Sequence, residues 1–223
     1  MVSHPLLQVI HDYTEAVRAG RVVYAGTICP RCEAIPDTFK IHERRQRTFR
    51  VVIERLVHRV SGLVVRWKCG LCQDTFSSCP DFALPCKRYV RDVVLGFGQC
   101  YLGDDAMSYR RVVRVEGLPV FYESGRDGIV DERALAPSTL HRWLGWLGRL
   151  DKSLHKALRL IRRASSTSGI FRKTHPVPRW KYRSAKRRQR LQVGLGLLAA
   201  ETAYRRLFTV SIFPGLATRT GWS

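Results

Sequence analysis

The sequence predicts an α+β fold: a small zinc-ribbon β-hairpin module, a mainly helical helix-turn-helix region, and a basic helical C-terminal part. Three observations carry that prediction. Cys29-Pro30-Arg31-Cys32 and Cys69-Gly70-Leu71-Cys72 form two Cys-x-x-Cys pairs. The stretch between them turns β-branched and basic before the second pair. Beyond residue 87, apolar residues recur at helical spacing. The organisation read from these signals is an N-terminal helix in 1–26, a ribbon in 27–86, a helix-turn-helix-like region in 87–150, and a basic helical region with a flexible arm in 151–223.

Two-residue spacers let both sulfurs of a pair reach one tetrahedral centre with metal–sulfur bonds near ~2.3 Å. Cys29, Cys32, Cys69 and Cys72 are therefore the candidate ligands of one zinc ion. Four thiolates leave no open position, so the site reads as structural and not catalytic. The spacer, 33–68, holds 36 residues, more than the ~15–20 of a compact ribbon. A longer hairpin or an inserted loop should take up the excess. Two unrelated pairs of buried cysteines are the competing reading, and Cys79 and Cys86 lie near enough to stand in as ligands.

Seven cysteines is an odd count, and His4, His11, Asp12, Glu15 and Arg18 interrupt the first 20 residues. A disulfide framework and a secretory signal are both disfavoured, and a reducing cytoplasm is expected. Apolar content of 45% over 223 residues suits a folded chain. The net charge is +21, and residues 152–223 hold 17 Lys and Arg against one acid, Glu201. Such a charge repels itself unless a polyanion neutralises it, which points to nucleic acid. An anionic membrane surface or simple solubility is the alternative. The apolar stretch 195–213 is broken by Glu201, Arg205 and Arg206, so no membrane span is expected.

In chain order, Leu6, Leu7, Ile10, Tyr13 and Val17 predict a helix over 4–19 that stops at Gly20. Residues 48–68 predict a hairpin turning at Ser61-Gly62. Thr75-Phe76 and the run Pro80-Asp81-Phe82-Ala83-Leu84-Pro85 read as an extended exit packing aromatics beneath the metal site. Helices are expected over 87–100 and over 104–115, the second capped by Asp104. Residues 117–131, rich in glycine and turn formers, predict a loop or small β insertion.

Ser138 is placed to cap a helix starting at Thr139, with Leu140, Trp143, Leu144 and Leu147 inside and Thr139, His141, Arg142 and Gly145 outside. A short helix, a turn and a capped helix bearing arginine is the pattern of a helix-turn-helix, so Ser138, Thr139, His141 and Arg142 are candidate DNA contacts. An ordinary core helix with a solvated arginine face shares most of that pattern. A basic helix over 151–163 offers Lys156, Arg159, Arg162 and Arg163. After the linker-like 165–169 comes a cationic arm: Arg172, Lys173, Arg179, Trp180, Lys181, Tyr182, Arg183, Lys186, Arg187, Arg188 and Arg190. Its cations suit phosphates and its aromatics suit bases, and it is expected to be poorly ordered alone. The final helix, 191–208, is apolar enough to dock on the body, on a protein partner or on a second copy.

Metal-dependent nucleic-acid chemistry needs two or three converging carboxylates. Only Glu201 follows Asp151, and Asp104, Asp105, Asp127, Asp131 and Glu132 fall in loop-like clusters, so no catalytic residue is assigned. Cys79, Cys86 and Cys100 have no neighbouring base in sequence.

The series CPRC, basic hairpin, CGLC-x2-TF and PDFALPCKRY resembles the N-terminal zinc-ribbon region of bacterial transposase-related proteins, a family of unknown function. The resemblance covers 27–148. It implies structural zinc on Cys29, Cys32, Cys69 and Cys72, duplex DNA as partner, and a cytoplasmic, nucleoid-associated setting. The chain departs from a full transposase in lacking a catalytic domain, so an accessory, targeting or regulatory role is expected. An RNA-binding or ribonucleoprotein component is the alternative, and a nuclease or recombinase subunit completed by a partner is a third.

Overall fold

The computed structural model describes residues 4–24, 28–114, 133–171 and 176–213. The expected loop or β insertion at 117–131, with Asp127, Asp131 and Glu132, lies outside these residues, as do Arg172 and Lys173.

Helix α1 (Pro5–Arg18) starts where His4 Nδ1 accepts from the Leu6 N–H at 3.2 Å and Pro5 fixes the first turn. It ends before Gly20, whose φ of 68° is the left-handed conformation glycine adopts freely. Ile10, Thr14 and Val17 form its buried face.

The spacer between the cysteine pairs is mostly one long antiparallel hairpin, β1 (Phe39–Ile53) and β2 (Leu56–Cys69). Its turn is at Glu54-Arg55, both left-handed at φ 49° and 68°, the backbone a two-residue hairpin turn requires. Ser61-Gly62, expected to be that turn, instead sits inside β2 opposite Thr48 and Arg47. Gly62 has a different reason to be there. A Cβ on it would stand 3.0 Å from Thr14 Oγ1 and 3.1 Å from Ile10 Cγ2, so the glycine lets α1 lie close on the strand.

Strand β2 is the centre of the sheet. β3 (Thr75–Ser78) pairs with its cysteine end and β4 (Arg133–Ala134) with its turn end. The exit run splits from expectation. Phe76 does pack beneath the cysteines, but Phe82 meets Phe49 and Tyr13 edge-on at 5.1 and 5.6 Å in the main core. Arg91, only 3% exposed, holds this corner through Asp81 at 2.8 Å and Asp92 at 2.9 Å.

Five helices follow: α2 (Arg91–Gly103), α3 (Tyr109–Val113), α4 (Pro137–Leu147), α5 (Asp151–Ala164) and α6 (Ala185–Phe208). α2 starts later than expected because residues 88–90 run beside β1, with Arg50 N–H donating to Arg88 O and Val90 N–H to Arg50 O. Asp104 ends α2 instead of opening α3; Ser108 caps α3 by accepting from the Arg111 N–H. In sequence, residues 114–136 lie between α3 and α4, and of these Arg133–Ala134 form β4. α4 is capped at Ala136 with Pro137 first, which puts Ser138 inside its first turn. Leu140, Trp143, Leu144 and Leu147 are buried as the periodicity predicts.

α6 starts at Ala185, not at Leu191. Ser184 Oγ accepts from the Arg187 N–H, so Lys186, Arg187, Arg188 and Arg190 lie on a helix and not on an unstructured arm. Leu191, Leu197, Leu198 and Ala200 bury that helix against its own chain. Glu201, 5% exposed, accepts from Ser211 Oγ at 2.7 Å and from the Ile212 N–H at 2.8 Å, tying the following turn to α6. One apolar cluster runs from Ile10, Phe49 and Val51 through Leu84 and Val94 to Leu144 and Leu197, so hairpin and helices share a core. Two smaller clusters, around Val65-Trp67 and around Cys29-Cys69, extend along the hairpin to the cysteines. No helix among the described residues is long and apolar enough to cross a membrane.

Candidate metal centre and basic groove

At the open end of the hairpin, Cys29, Cys32, Cys69 and Cys72 bring their sulfurs within 4.8 Å of one another. Cys29–Cys72 and Cys32–Cys69 are separated by 3.8 and 3.7 Å. A tetrahedron with ~2.3 Å metal–sulfur bonds has edges of roughly 3.8 Å, so the spacing is that of a shared ion and is far too long for a disulfide.

The two knuckles have the same backbone. Cys29 N–H donates to Ala34 O and Cys69 N–H to Asp74 O; Glu33 and Gln73 return their N–H groups to Cys29 O and Cys69 O. Glu33 and Gln73 are both left-handed, at φ 61° and 60°. Gly70 is required by space: a Cβ would lie 2.6 Å from Thr38 O, which accepts the Gly70 N–H. Phe39 and Phe76, 5.2 Å apart edge-on, close the apolar side. Cys79, Cys86 and Cys100 are outside the cluster, which removes Cys79 and Cys86 as substitute ligands.

Burial works against a Cys69 thiolate, but the N–H groups of Cys72 and Leu71 and the neighbouring thiols outweigh it, lowering its pKa to about 6. The Asp74 N–H favours a Cys72 thiolate, yet desolvation and the thiols of Cys32, Cys69 and Cys29 prevail and push it up to about 12. Four sulfurs this close cannot all ionise without a cation between them, and an all-thiolate set suits a soft or borderline ion.

A second feature lies among the helices, a groove of about 500 Å³ whose lining includes five Lys and Arg and no Asp or Glu. Tyr101 and Tyr109 stack at 4.2 Å with their rings 9° apart, and His141 meets Tyr109 edge-on at 5.7 Å. Arg187 donates to the Tyr109 hydroxyl. Trp180, Tyr182 and Arg183 come from the segment before α6, and Lys186, Arg187 and Arg190 from its first turns. Desolvation, then the nearby Arg187, lowers the His141 pKa, keeping the ring neutral near pH 7.

The groove thus joins residues from two separate sequence readings, His141 from α4 and Trp180, Tyr182, Arg183, Lys186, Arg187 and Arg190 from the expected arm. Lys181 touches it but is not available to phosphate. It is 5% exposed, and Nζ donates to Tyr101 O at 2.5 Å and Asp104 O at 2.6 Å, the carbonyls ending α2. Desolvation lowers its pKa, against the pull of Asp105 and Asp104. Ser138 and Arg142 are exposed on α4 outside the groove, and Arg142 donates to the half-buried Thr139 hydroxyl at 3.2 Å. Arg159, Arg162 and Arg163 on α5 are exposed, Lys156 is half-buried, and none lines the groove. Arg179 is exposed on a single 3-10 turn, Arg179–Lys181, and Arg188 stands 5.9 Å over the Tyr182 ring. Tyr101, Ser108, Tyr109 and Ser184 line the groove without having been legible as site residues; Ser108 and Ser184 act as helix caps.

No family model matches the chain, no curated protein matches it, and no solved structure matches it.

Proposed function

We propose that the chain is a DNA-binding protein stabilised by one structural zinc ion on Cys29, Cys32, Cys69 and Cys72. In this reading it serves a mobile element as an accessory, targeting or regulatory component. The observation that carries the binding role is the gathering of Arg183, Lys186, Arg187 and Arg190 with His141 around one groove that has no carboxylate in its lining. Cations so placed repel one another, and a phosphate backbone relieves that repulsion while releasing its counterions. The exposed start of α4, with Ser138, His141 and Arg142, supplies a helix end of the kind that enters a major groove.

The sulfur spacing and the paired knuckle turns support zinc in a closed role, holding the two ends of the hairpin together. The mobile-element setting rests on the resemblance of the CPRC, CGLC-x2-TF and PDFALPCKRY segments. Among the described acids, Glu201 ties the turn after α6 to that helix, and Asp81 and Asp92 partner Arg91.

The test is anisotropy binding of the metal-loaded chain to a 20-bp duplex over a salt series, beside an RNA hairpin at matched salt. The expected result is a log–log affinity falling steeply with salt and a weaker hairpin. A tighter hairpin would move the protein to the ribonucleoprotein reading, and salt-independent binding would remove nucleic acid altogether.

A further inference from the structure

We infer that the groove takes an unpaired nucleotide of a DNA strand, its base on Trp180 and its flanking phosphates on Arg183, Lys186 and Arg190. The inference rests on the nucleic-acid reading above and narrows it to DNA that carries an unpaired base.

The first reason is Trp180. It is 57% exposed, the most solvent-accessible tryptophan among the described residues. Pro178 precedes the 3-10 turn that carries it, and the next residue, Lys181, is anchored to the end of α2 by two carbonyls. The Lys181 ammonium also lies 5.3 Å from the Trp180 ring centroid. An exposed aromatic on an anchored turn leaves less backbone to order on binding. Stacking on it therefore costs little order.

The second reason is the chemistry of the walls. Arg183, Lys186 and Arg190 line the same groove as Trp180, and the hydroxyls of Ser108 and Ser184 add neutral donors. A ligand that satisfies both is planar and aromatic at one end and anionic at the other. The volume, about 500 Å³, falls in the ~300–1,000 Å³ range of sites for single small groups. That suits one nucleotide unit with its phosphates and not an extended strand.

The third reason separates unpaired from paired DNA. Bases inside a duplex are stacked on their neighbours and offer no face to a side chain, whereas every unpaired base does. The cations alone would serve any duplex. Trp180 adds nothing there and adds most at an overhang, a gap or a displaced base.

The experiment uses the full metal-loaded chain and three probes at one salt concentration: a blunt 20-bp duplex, the same duplex with a five-thymidine overhang, and free thymidine 5′-monophosphate as competitor. The wild type is expected to bind the overhang roughly fivefold or more tighter than the blunt duplex, the lower range of one stacked base. Trp180→Ala should abolish that gain, leaving the overhang and the blunt duplex bound alike. Trp180→Phe should keep most of it. Equal binding of the two duplexes by the wild type, or an undiminished gain in Trp180→Ala, overturns the inference and leaves the duplex reading standing. Binding of the overhang with none of the blunt duplex supports the inference and overturns the duplex reading. Loss of the gain to micromolar free nucleotide assigns the groove to a soluble nucleotide and overturns the strand assignment.

Discussion

Gly148 lies so close to Arg190 that a Cβ on it would stand 2.5 Å from both the carbonyl oxygen and the Cβ of that residue. Gly148 is the C-cap of α4 with an ordinary right-handed backbone, φ −67°, so space and not torsion demands glycine. This crossing brings α4, with His141, against the first turns of α6, with Arg187 and Arg190, and so sets one edge of the groove. Gly148→Ala is expected to cost about 1–3 kcal/mol, the range for forcing atoms into a packed contact. Gly145→Ala is the control. Its new methyl would meet only the flexible Arg187 Nη1 at 3.6 Å, and helix propensity should make it neutral or stabilising by up to ~1 kcal/mol. Urea denaturation of both variants checks the pair; equal midpoints would remove the crossing as a constraint.

Metal analysis of the purified chain is expected to give about one zinc. Cys69→Ser should lose it together with the ordered knuckles, since metal affinity in such a site is folding free energy. Cys79→Ser, Cys86→Ser and Cys100→Ser should each retain it, because those sulfurs lie outside the cluster. A metal-free wild type that melts cooperatively and ignores chelator would dismiss the centre.

Lys181 is expected to behave as a structural cation. Lys181→Met removes the Lys181 donor from the buried Tyr101 carbonyl and leaves the Asp104 carbonyl with the Met107 N–H alone, at about 1–3 kcal/mol for a buried acceptor losing its partner. Its DNA salt slope should match the wild type. A shallower slope with unchanged stability would return Lys181 to the phosphate-binding set.

These contrasts show where the sequence was legible. Cysteine spacing named the four cysteines that cluster because Cys-x-x-Cys geometry is local, fixed within each knuckle by its own turn. The buried face of α4 was equally plain from the spacing of Leu140, Trp143, Leu144 and Leu147. The hairpin turn was misplaced because Ser61-Gly62 has turn composition, while its real reason, the approach of Thr14 and Ile10 from α1, is a tertiary contact. Lys181 looked like its neighbours in the basic run, and only the fold places it over the carbonyls of α2. Tyr101 and Tyr109 carry no local signal at all, since their stacking depends on how α2 and α3 meet. The expected arm failed for a related reason: its charges do repel, but Ser184 caps a helix whose apolar continuation from Leu191 buries it.

Tyr13 gives a pH prediction. Burial, and then the nearby Cys79, raise its pKa from 10.0 to about 12, beside the edge-on ring of Phe82. A proton held more tightly in the folded state contributes stability that is complete below the unfolded value and lost as pH rises through the folded one. Stability should therefore decline from about pH 10 to about pH 12. At face value the shift is worth roughly 2.7 kcal/mol, reduced by partial solvent contact to on the order of 1–2 kcal/mol. Tyr13→Phe should flatten that part of the profile, seen in denaturation midpoints between pH 9 and 12; an unchanged profile would assign the loss to other tyrosines.

The salt slope separates the cations that meet phosphate from those that build the fold. Arg183, Lys186 and Arg188 are exposed around the start of α6, whereas Arg187 is half-buried and donates to the Tyr109 hydroxyl. Each phosphate neutralised on duplex DNA contributes about −0.9 to the slope of log affinity against log salt. Replacing Arg183, Lys186 and Arg188 together by Gln should make the slope shallower by roughly two to three if all three touch phosphate. Thermal stability should barely change, since exposed substitutions away from caps and networks usually move it by less than ~0.5 kcal/mol. Discrimination between target sequences should also survive, because phosphate contacts position a protein and base contacts specify it. Arg187→Gln should in addition lower stability through the lost Tyr109 bond. If the triple variant binds with an unaltered slope, the start of α6 faces something other than a phosphate backbone, and the groove loses its claim as the DNA surface.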